Sequence, residues 1–350
     1  MKVDVEQRRE TILRIVINNY ISTGSPVSSR TICNKYKIAL CPASVRNVLA
    51  DLEEQGMITH LHTSAGRIPT DKGYRYYVDR LIKYSGLTPQ EQGFINNEYL
   101  SKHIALEEVM SKTSKLLSSM TSYAAVVSQP EINRTAFKHI QFTLLDSKKV
   151  CVTLIANTGM TKSTVVQFDS QIDKQQLVRI QNFMNEQLED VPLSHVKTKL
   201  RRMMIQQRDS FFQVLQQAID LVDLSSIIDE SKRFYLEGIS NILDFPDFED
   251  SGMIRSLIRV LDQKIRLADM LNDIISETDS AKKIRVFIGQ ENPYDMGNNC
   301  TIIMSSYALD DKTVGGLGII GPKRMDYGKA IALVRYVSEM LSEALNRYSL

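Results

Sequence analysis

Apolar residues at positions 12, 13, 16, 17, 20 and 21 recur in pairs four apart. This spacing predicts a helix whose broad buried stripe is Ile12, Leu13, Val16, Ile17, Tyr20 and Ile21. The turn-forming run Ser22-Thr23-Gly24-Ser25-Pro26 ends it. A shorter helix follows with Ser28 as its N-cap, carrying Ile32, Cys33 and Tyr36 inward and Arg30 and Lys35 outward. A third helix is bracketed by Pro42, whose missing N–H costs nothing at a first helical position, and by Gly56, suited to a left-handed cap. Val45, Val48, Leu49 and Leu52 form its inner stripe, which leaves Ser44, Arg46, Asn47 and Asp51 outside.

After Gly56 the alternation of residues 57–62 predicts a strand, and Thr63 to Arg67 a turn before Ile68-Pro69. A fourth helix is expected from Pro69-Thr70-Asp71 through Tyr74, Tyr77, Val78, Leu81 and Ile82. Two helices, a third with an exposed polar face, and a hairpin make the pattern of a winged helix-turn-helix, with the hairpin as wing.

The period then changes twice. Residues 85–125 are polar and helical in pattern, a linker helix with Leu106, Val109, Met110, Leu116, Leu117 and Met120 as intermittent apolar positions. Residues 126–170 hold three β-rich runs and lead into a helix at about 173–189. The β signal resumes at 283–289, 300–309 and 314–322, before a last amphipathic helix from about Asp326 to Arg347. These parts predict an α+β domain formed by residues 126–194 and 281–350 and split by a mostly helical insertion at 195–280. Within the insertion, Ile254, Leu257, Ile258, Leu261, Ile265 and Leu267 exceed what one buried face needs, which suggests self-association.

Charge sharpens the reading of the head. Residues 1–84 hold 13 Lys+Arg against 8 Asp+Glu, whereas the remainder holds 30 against 33. A basic module on a near-neutral body suits phosphate binding. At 350 residues, 43% hydrophobic and 24% charged, the chain has room for two or three domains. No apolar leader or membrane-length run stands out, so the cytoplasm is the expected location. Cys33, Cys41, Cys151 and Cys300 are scattered singly and read as reduced, mostly buried thiols.

Other patterns carry less. Gly316-Leu317-Gly318-Ile319-Ile320-Gly321 spells a dinucleotide fingerprint, but Pro322 follows and no helix opens inside it, so close strand packing is the expected reason for the glycines. His60 and His62 lack a third metal ligand nearby. Met203-Met204 with Phe211 and Phe212 reads as helix core or dimer seam, with a partner-docking surface as the sharper alternative. No nucleophile-base constellation appears, so no catalysis, metal or cofactor is expected.

Four segments carry a resemblance: HTSAGRIPTDKGYRYYVD at 62–79, LEGISNILDFPDF at 236–248, IGQENP at 288–293 and GLGIIGPKRMDYGKAIALV at 316–334. Through them the chain resembles, over nearly its full length, the heat-inducible transcription repressors of bacteria known as the HrcA family. The resemblance implies an N-terminal winged helix-turn-helix at 1–84, a linker at 85–125, a GAF-like α+β domain and an inserted dimerisation domain. It also implies a homodimer that binds an inverted-repeat operator of chaperone operons in double-stranded DNA, with a GroE-type chaperonin promoting the active form.

The family's recognition-helix pattern falls on Ser44, Arg46 and Asn47, and its wing pattern on His62 through Lys72, including Thr63, Ser64 and Arg67. Arg30 joins them on the second helix. The chain departs from the family at Val48, where an acidic residue is usual, and at Cys41-Pro42, where a Ser-type cap is usual. Val48 lies on the predicted inner face, so altered packing rather than a lost base contact is expected. Arg46 has the fork to grip guanine O6 and N7, and Asn47 suits adenine or a phosphate. Arg67, with Thr63 and Ser64, is expected to hold the wing on phosphates or in the minor groove; a solvated face for Arg46 and an internal salt bridge for Arg67 are the plainer alternatives. A ligand-sensing regulator using the GAF-like domain is the alternative function.

Overall fold

The computed structural model describes residues 2–38, 40–60, 66–82, 86–99, 106–130, 136–157, 161–168, 173–206, 234–243, 245, 284–292, 300–309 and 312–348. Helices α1 (Lys2–Thr23), α2 (Ser29–Tyr36) and α3 (Pro42–Glu54) come first, followed by strands β1 (Ile58–His60) and β2 (Arg67–Pro69) and helix α4 (Asp71–Tyr76), which runs on as a π-helical turn through Leu81. Their caps are those the sequence predicts. The Ser28 hydroxyl accepts from Thr31 N–H at 3.1 Å, Pro42 opens α3, and Gly56 follows α3 with φ +71°. Ile12, Leu13, Val16, Ile17, Ile32, Val45, Leu49 and Leu52 are all buried, and Val48 is half-buried as its inward position requires.

Beyond the head the fold is mixed α+β. Helices α5 (Pro89–Tyr99) and α6 (Leu106–Thr121) precede β3 (Ala124–Ser128). Strands β4 (Phe137–Asp146), β5 (Lys149–Ala156) and β6 (Thr161–Gln167) and helices α7 (Lys174–Leu188) and α8 (Leu193–Gln206) come next. The described chain resumes with β7 (Phe234–Glu237) and the short α9 (Ile239–Leu243), then β8 (Arg285–Ile288), β9 (Cys300–Leu309), β10 (Lys312–Pro322) and α10 (Tyr327–Tyr348).

The β-rich runs do not share one sheet, contrary to what their common signal suggests. Strands β7-β3-β10-β9-β8 form one antiparallel sheet, and β4-β5-β6 form another. Because β3 pairs with β7, the chain leaves the five-stranded sheet at Ser128 and returns at Phe234. The three-stranded unit therefore lies inside the excursion, which begins some 65 residues earlier than the expected insertion at 195–280. Strand β7, placed by the sequence reading inside that insertion, belongs to the five-stranded sheet. The apolar set from Ile254 to Leu267, and Phe211 and Phe212, lie outside the described residues.

Two cores follow from this division. One runs without a break from Ile12 in α1 through Tyr74 and Ile95 to Leu345 in α10, and so joins the head to the five-stranded sheet. The other is confined to the three-stranded unit, where Val150, Val152 and Leu154 pack against Leu177, Ile180 and Met184. There, α7 also hydrogen-bonds the edge strand β4. Asn185 accepts from Ile140 N–H at 2.7 Å and donates to its carbonyl at 3.0 Å, and Gln181 accepts from Phe142 N–H at 2.9 Å. An edge occupied in this way is closed to further strand pairing.

Gly316 to Gly321 lie wholly within β10. A Cβ at Gly318 would press on the Ile303 carbonyl of the neighbouring strand, so close backbone approach accounts for that glycine. Of the four cysteines, all free, only Cys300 is buried; Cys41 is exposed, because it stands at the N-cap of α3 where the helix turns toward solvent. No helix among the described residues is long and apolar enough to cross a membrane.

Candidate nucleic-acid interface

The outward face of α3 is made by Ala43, Arg46, Asn47, Ala50 and Glu54, all exposed. Arg46 and Asn47 form no hydrogen bond or ion pair among the described residues, and the methyl groups of Ala43 and Ala50 leave nothing bulky beside them. The alanines carry a signal that the sequence reading passed over: small residues on a polar helix face allow close approach to a groove. Arg30 on α2 is likewise exposed and unpaired among the described residues. Ser44 is half-buried and its hydroxyl lies 3.2 Å from the Cys41 sulfur. That contact pulls the Cys41 thiol below its ordinary pKa. Cys41 itself gives α3 no side-chain cap.

The β1–β2 hairpin is anchored from two sides. β1 and β2 pair antiparallel, His60 opposite Arg67, and Val27 pairs with Arg67 through both backbone groups at 3.0 and 2.8 Å. A Cβ on Gly66 would overlap the Val27 backbone, so this close strand approach requires glycine. On the other side Glu53, in the last turn of α3, accepts from the Arg67 guanidinium at 2.7 Å and from His60 Nδ1. Desolvation raises the Glu53 pKa, but hydrogen bonds and charge from His60 and Arg67 outweigh it, and the net shift is downward.

These positions divide the expected contact residues into two groups. Arg46, Asn47 and Arg30 present unengaged polar groups. Arg67 is engaged by Glu53, and Lys72 donates to the Gln55 carbonyl at 2.9 Å, where it caps the C-terminal end of α3. His62, Thr63 and Ser64 lie outside the described residues. His60, one of the two histidines of the hairpin segment, is held by Glu53.

After the β1–β2 hairpin, α4 is tied both to α3 and to the body. The Thr70 hydroxyl donates to the Gly56 carbonyl at 2.6 Å, and Thr70 N–H to Met57 at 3.1 Å. Asp71 receives Lys323 at 2.7 Å and the Gln290 N–H at 3.1 Å. Arg75 donates to Glu291 from Nε at 2.9 Å and from Nη2, to the Val286 carbonyl, and to Asp79 at 3.1 Å. These bonds, Glu291 foremost, hold its guanidinium charged beyond its ordinary range.

Comparison with known proteins gives a consistent match. Residues 107–331 match the family model described as HrcA protein C terminal domain. The heat-inducible transcription repressor HrcA of Geobacter sulfurreducens is 35% identical over 342 residues, covering 98% of each chain. That of Moorella thermoacetica is 34% identical over 344 residues, again covering 98% of each. A crystal structure described as a hypothetical protein covers 97% of this chain and 98% of its own, with a TM-score of 0.64 at 20% identity, and so shares its fold.

Proposed function

Since the chain belongs to the HrcA family of heat-inducible transcription repressors, we propose that it is a DNA-binding repressor of heat-shock operons, in which residues 1–84 act as a winged helix-turn-helix. The observation that carries this reading is the outward face of α3, where Arg46 and Asn47 stand unpaired between Ala43 and Ala50. In the major groove, Arg46 grips guanine O6 and N7 while Asn47 pairs with adenine or a phosphate. Arg30 meets the backbone beside them. Ser44, occupied with Cys41, contributes at the helix N-terminus.

His62, Thr63 and Ser64, between β1 and β2 in the sequence, contact phosphates or the minor groove. Arg67 and Lys72 support them from within, by holding the wing and the end of α3 in place. This differs from the direct DNA contact expected for both and agrees with the salt bridge weighed for Arg67, because each cation already has an acceptor.

The five-stranded unit is the GAF-like domain, and the excursion between Ser128 and Phe234 contains the inserted dimerisation domain. Dimerisation brings two heads to the half-sites of an inverted repeat, and a GroE-type chaperonin favours the binding-competent form. The protein works in the cytoplasm. On the α6 and α10 side the five-stranded sheet is filled by Ile303, Tyr307, Leu317 and Ile319 packed on Leu333 and Val337, which favours a structural role there over ligand sensing.

The test is a footprint and anisotropy titration of the chain on DNA upstream of its own gene and of chaperone genes. Protection of an inverted repeat on one face of the duplex is expected, and it should disappear with Arg46→Ala. Equal affinity for operator and scrambled DNA would remove the reading.

A further inference from the structure

Three of the four segments that carry the family resemblance meet in one place, where α4 lies between the C-terminal end of α3 and the body. They are PTDKGYRYY at 69–77, IGQEN at 288–292 and GPKRMDYG at 321–328. Between them α4 is held on opposite sides by different partners. Thr70, Lys72 and Gly73 face the end of α3: Thr70 bonds Gly56, Lys72 bonds Gln55, and a Cβ on Gly73 would overlap the Met57 carbonyl. Asp71 and Arg75, one turn apart, face the body.

The body side is built for close fit. Asp71 joins Lys323 and the Gln290 N–H, and a Cβ on Gly289, at φ +55°, would collide with the Asp71 carboxylate. Arg75 grips Glu291 by two nitrogens and reaches the Val286 carbonyl; the Glu291 carboxylate in turn accepts from Ile288 N–H at 3.0 Å. Beneath these pairs, buried Tyr327 donates to the Lys323 carbonyl at 2.7 Å. Its ring meets Tyr74 at 5.7 Å and Tyr77 at 6.4 Å. The contact is directional as well as apolar, so it specifies an orientation and not merely adhesion.

We propose that α4 is a keyed joint between head and body, and that Asp71 and Arg75 are positioning residues for operator recognition. They set the separation and angle at which the two recognition helices of a dimer meet their half-sites. This rests on the dimeric operator reading above. A rigid joint converts the second half-site contact into an intramolecular one at a fixed distance, so it selects one spacing; a loose joint accepts several and gains less from each.

The experiment uses the full chain on inverted repeats whose spacer is varied by single base pairs, together with a duplex carrying one half-site. The variants are Arg75→Ala, Asp71→Asn and Gly289→Ala, with Arg75→Lys as the conservative control; unfolding midpoints establish which of them are folded. The wild-type chain is expected to prefer one spacing by about tenfold or more. Folded joint variants are expected to lose that preference to within about threefold while keeping single half-site affinity, and Arg75→Lys to retain part of it.

Preference retained in the folded variants overturns the proposal, as does a parallel fall in half-site affinity, the mark of a general structural defect. Tighter binding to the matched operator also overturns it, because the joint would then be holding the heads off the DNA. Unfolding of all three alanine, asparagine and wedge variants, with Arg75→Lys folded and its spacing preference intact, overturns it too. Failure of the wild-type chain to bind any inverted repeat removes the operator reading and the proposal together, whereas wild-type preference shared by the variants removes the joint alone.

Discussion

Arg46 on α3 and Arg75 on α4 belong to the same basic head and are used in opposite ways. Arg46 stands exposed with no acceptor among the described residues, while Arg75 spends its donors on Glu291, Val286 and Asp79. Arg67 in the wing belongs with Arg75, since Glu53 holds it. A cation already beside a carboxylate has its charge partly neutralised and some of its donors occupied, so it gains less from a phosphate than an unpaired one. A net basic charge therefore overstates the DNA-binding surface. What matters is which cations the fold leaves without partners.

The largest test of this contrast is Arg46→Ala. Operator discrimination should fall by about 1–3 kcal/mol, the worth of one bidentate base contact. Stability should stay within about 0.5 kcal/mol, as for an exposed residue without partners. Anisotropy titrations against operator and scrambled duplexes, paired with denaturant melts, read both quantities. An intact preference would move the reading face elsewhere.

Glu53→Gln should produce the reverse pattern. Freeing Arg67 and His60 removes two charge-assisted bonds, and because the carboxylate is a quarter exposed we expect a loss of only about 1 kcal/mol of unfolding free energy. A melt indistinguishable from wild type would mean that Glu53 does not anchor the wing.

Salt dependence separates the cations more finely. Arg30→Ala should lower the slope of log affinity against log salt by about 0.9, one phosphate's worth. Arg67→Ala should lower it by less than about half of that. Equal changes would put Arg67 on the DNA after all.

The smallest expected effect is on acid stability. Hydrogen bonds from Lys329 and from both the backbone and side chain of Thr88 draw the Glu91 carboxyl down to about 2, and Glu53 is also depressed. A carboxylate depressed on folding stabilises the native state above its unfolded pKa, near 4.5, and that contribution is lost as pH falls toward the folded value. Stability should therefore decline between about pH 4.5 and 2, and Glu91→Gln should flatten part of that decline. Melting curves across this range, wild type against variant, test the assignment.

The head was legible because its signals are local. Pairs of apolar residues four apart, Ser28 as cap, Pro42 and Gly56 as brackets each act within one or two turns, and α1 to α3 form where their own residues predict. The sheets were not legible in the same way. Strand β3, Ala-Ala-Val-Val-Ser, is buried at every position and so shows no alternation to separate it from the helical pattern before it. Likewise β4 to β6 and β8 to β10 carry the same kind of β signal but pair in different sheets, because pairing is chosen by long-range partners.

Among site residues, Arg30, Arg46 and Asn47 remained on open surface as their helical positions predict. Nothing in the sequence spacing assigns Arg67 to Glu53 or Lys72 to Gln55, and still less Arg75 to Glu291, 216 residues away. By itself the sequence determined the helices of the head, the exposure of Arg46 and Asn47 on α3 and membership of a family. Tertiary structure alone decided which strands share a sheet, where the excursion begins and which cations are already paired. The physical reason is range: helix periodicity and capping act between near neighbours, whereas sheet register and ion pairing depend on groups that only the folded chain brings together.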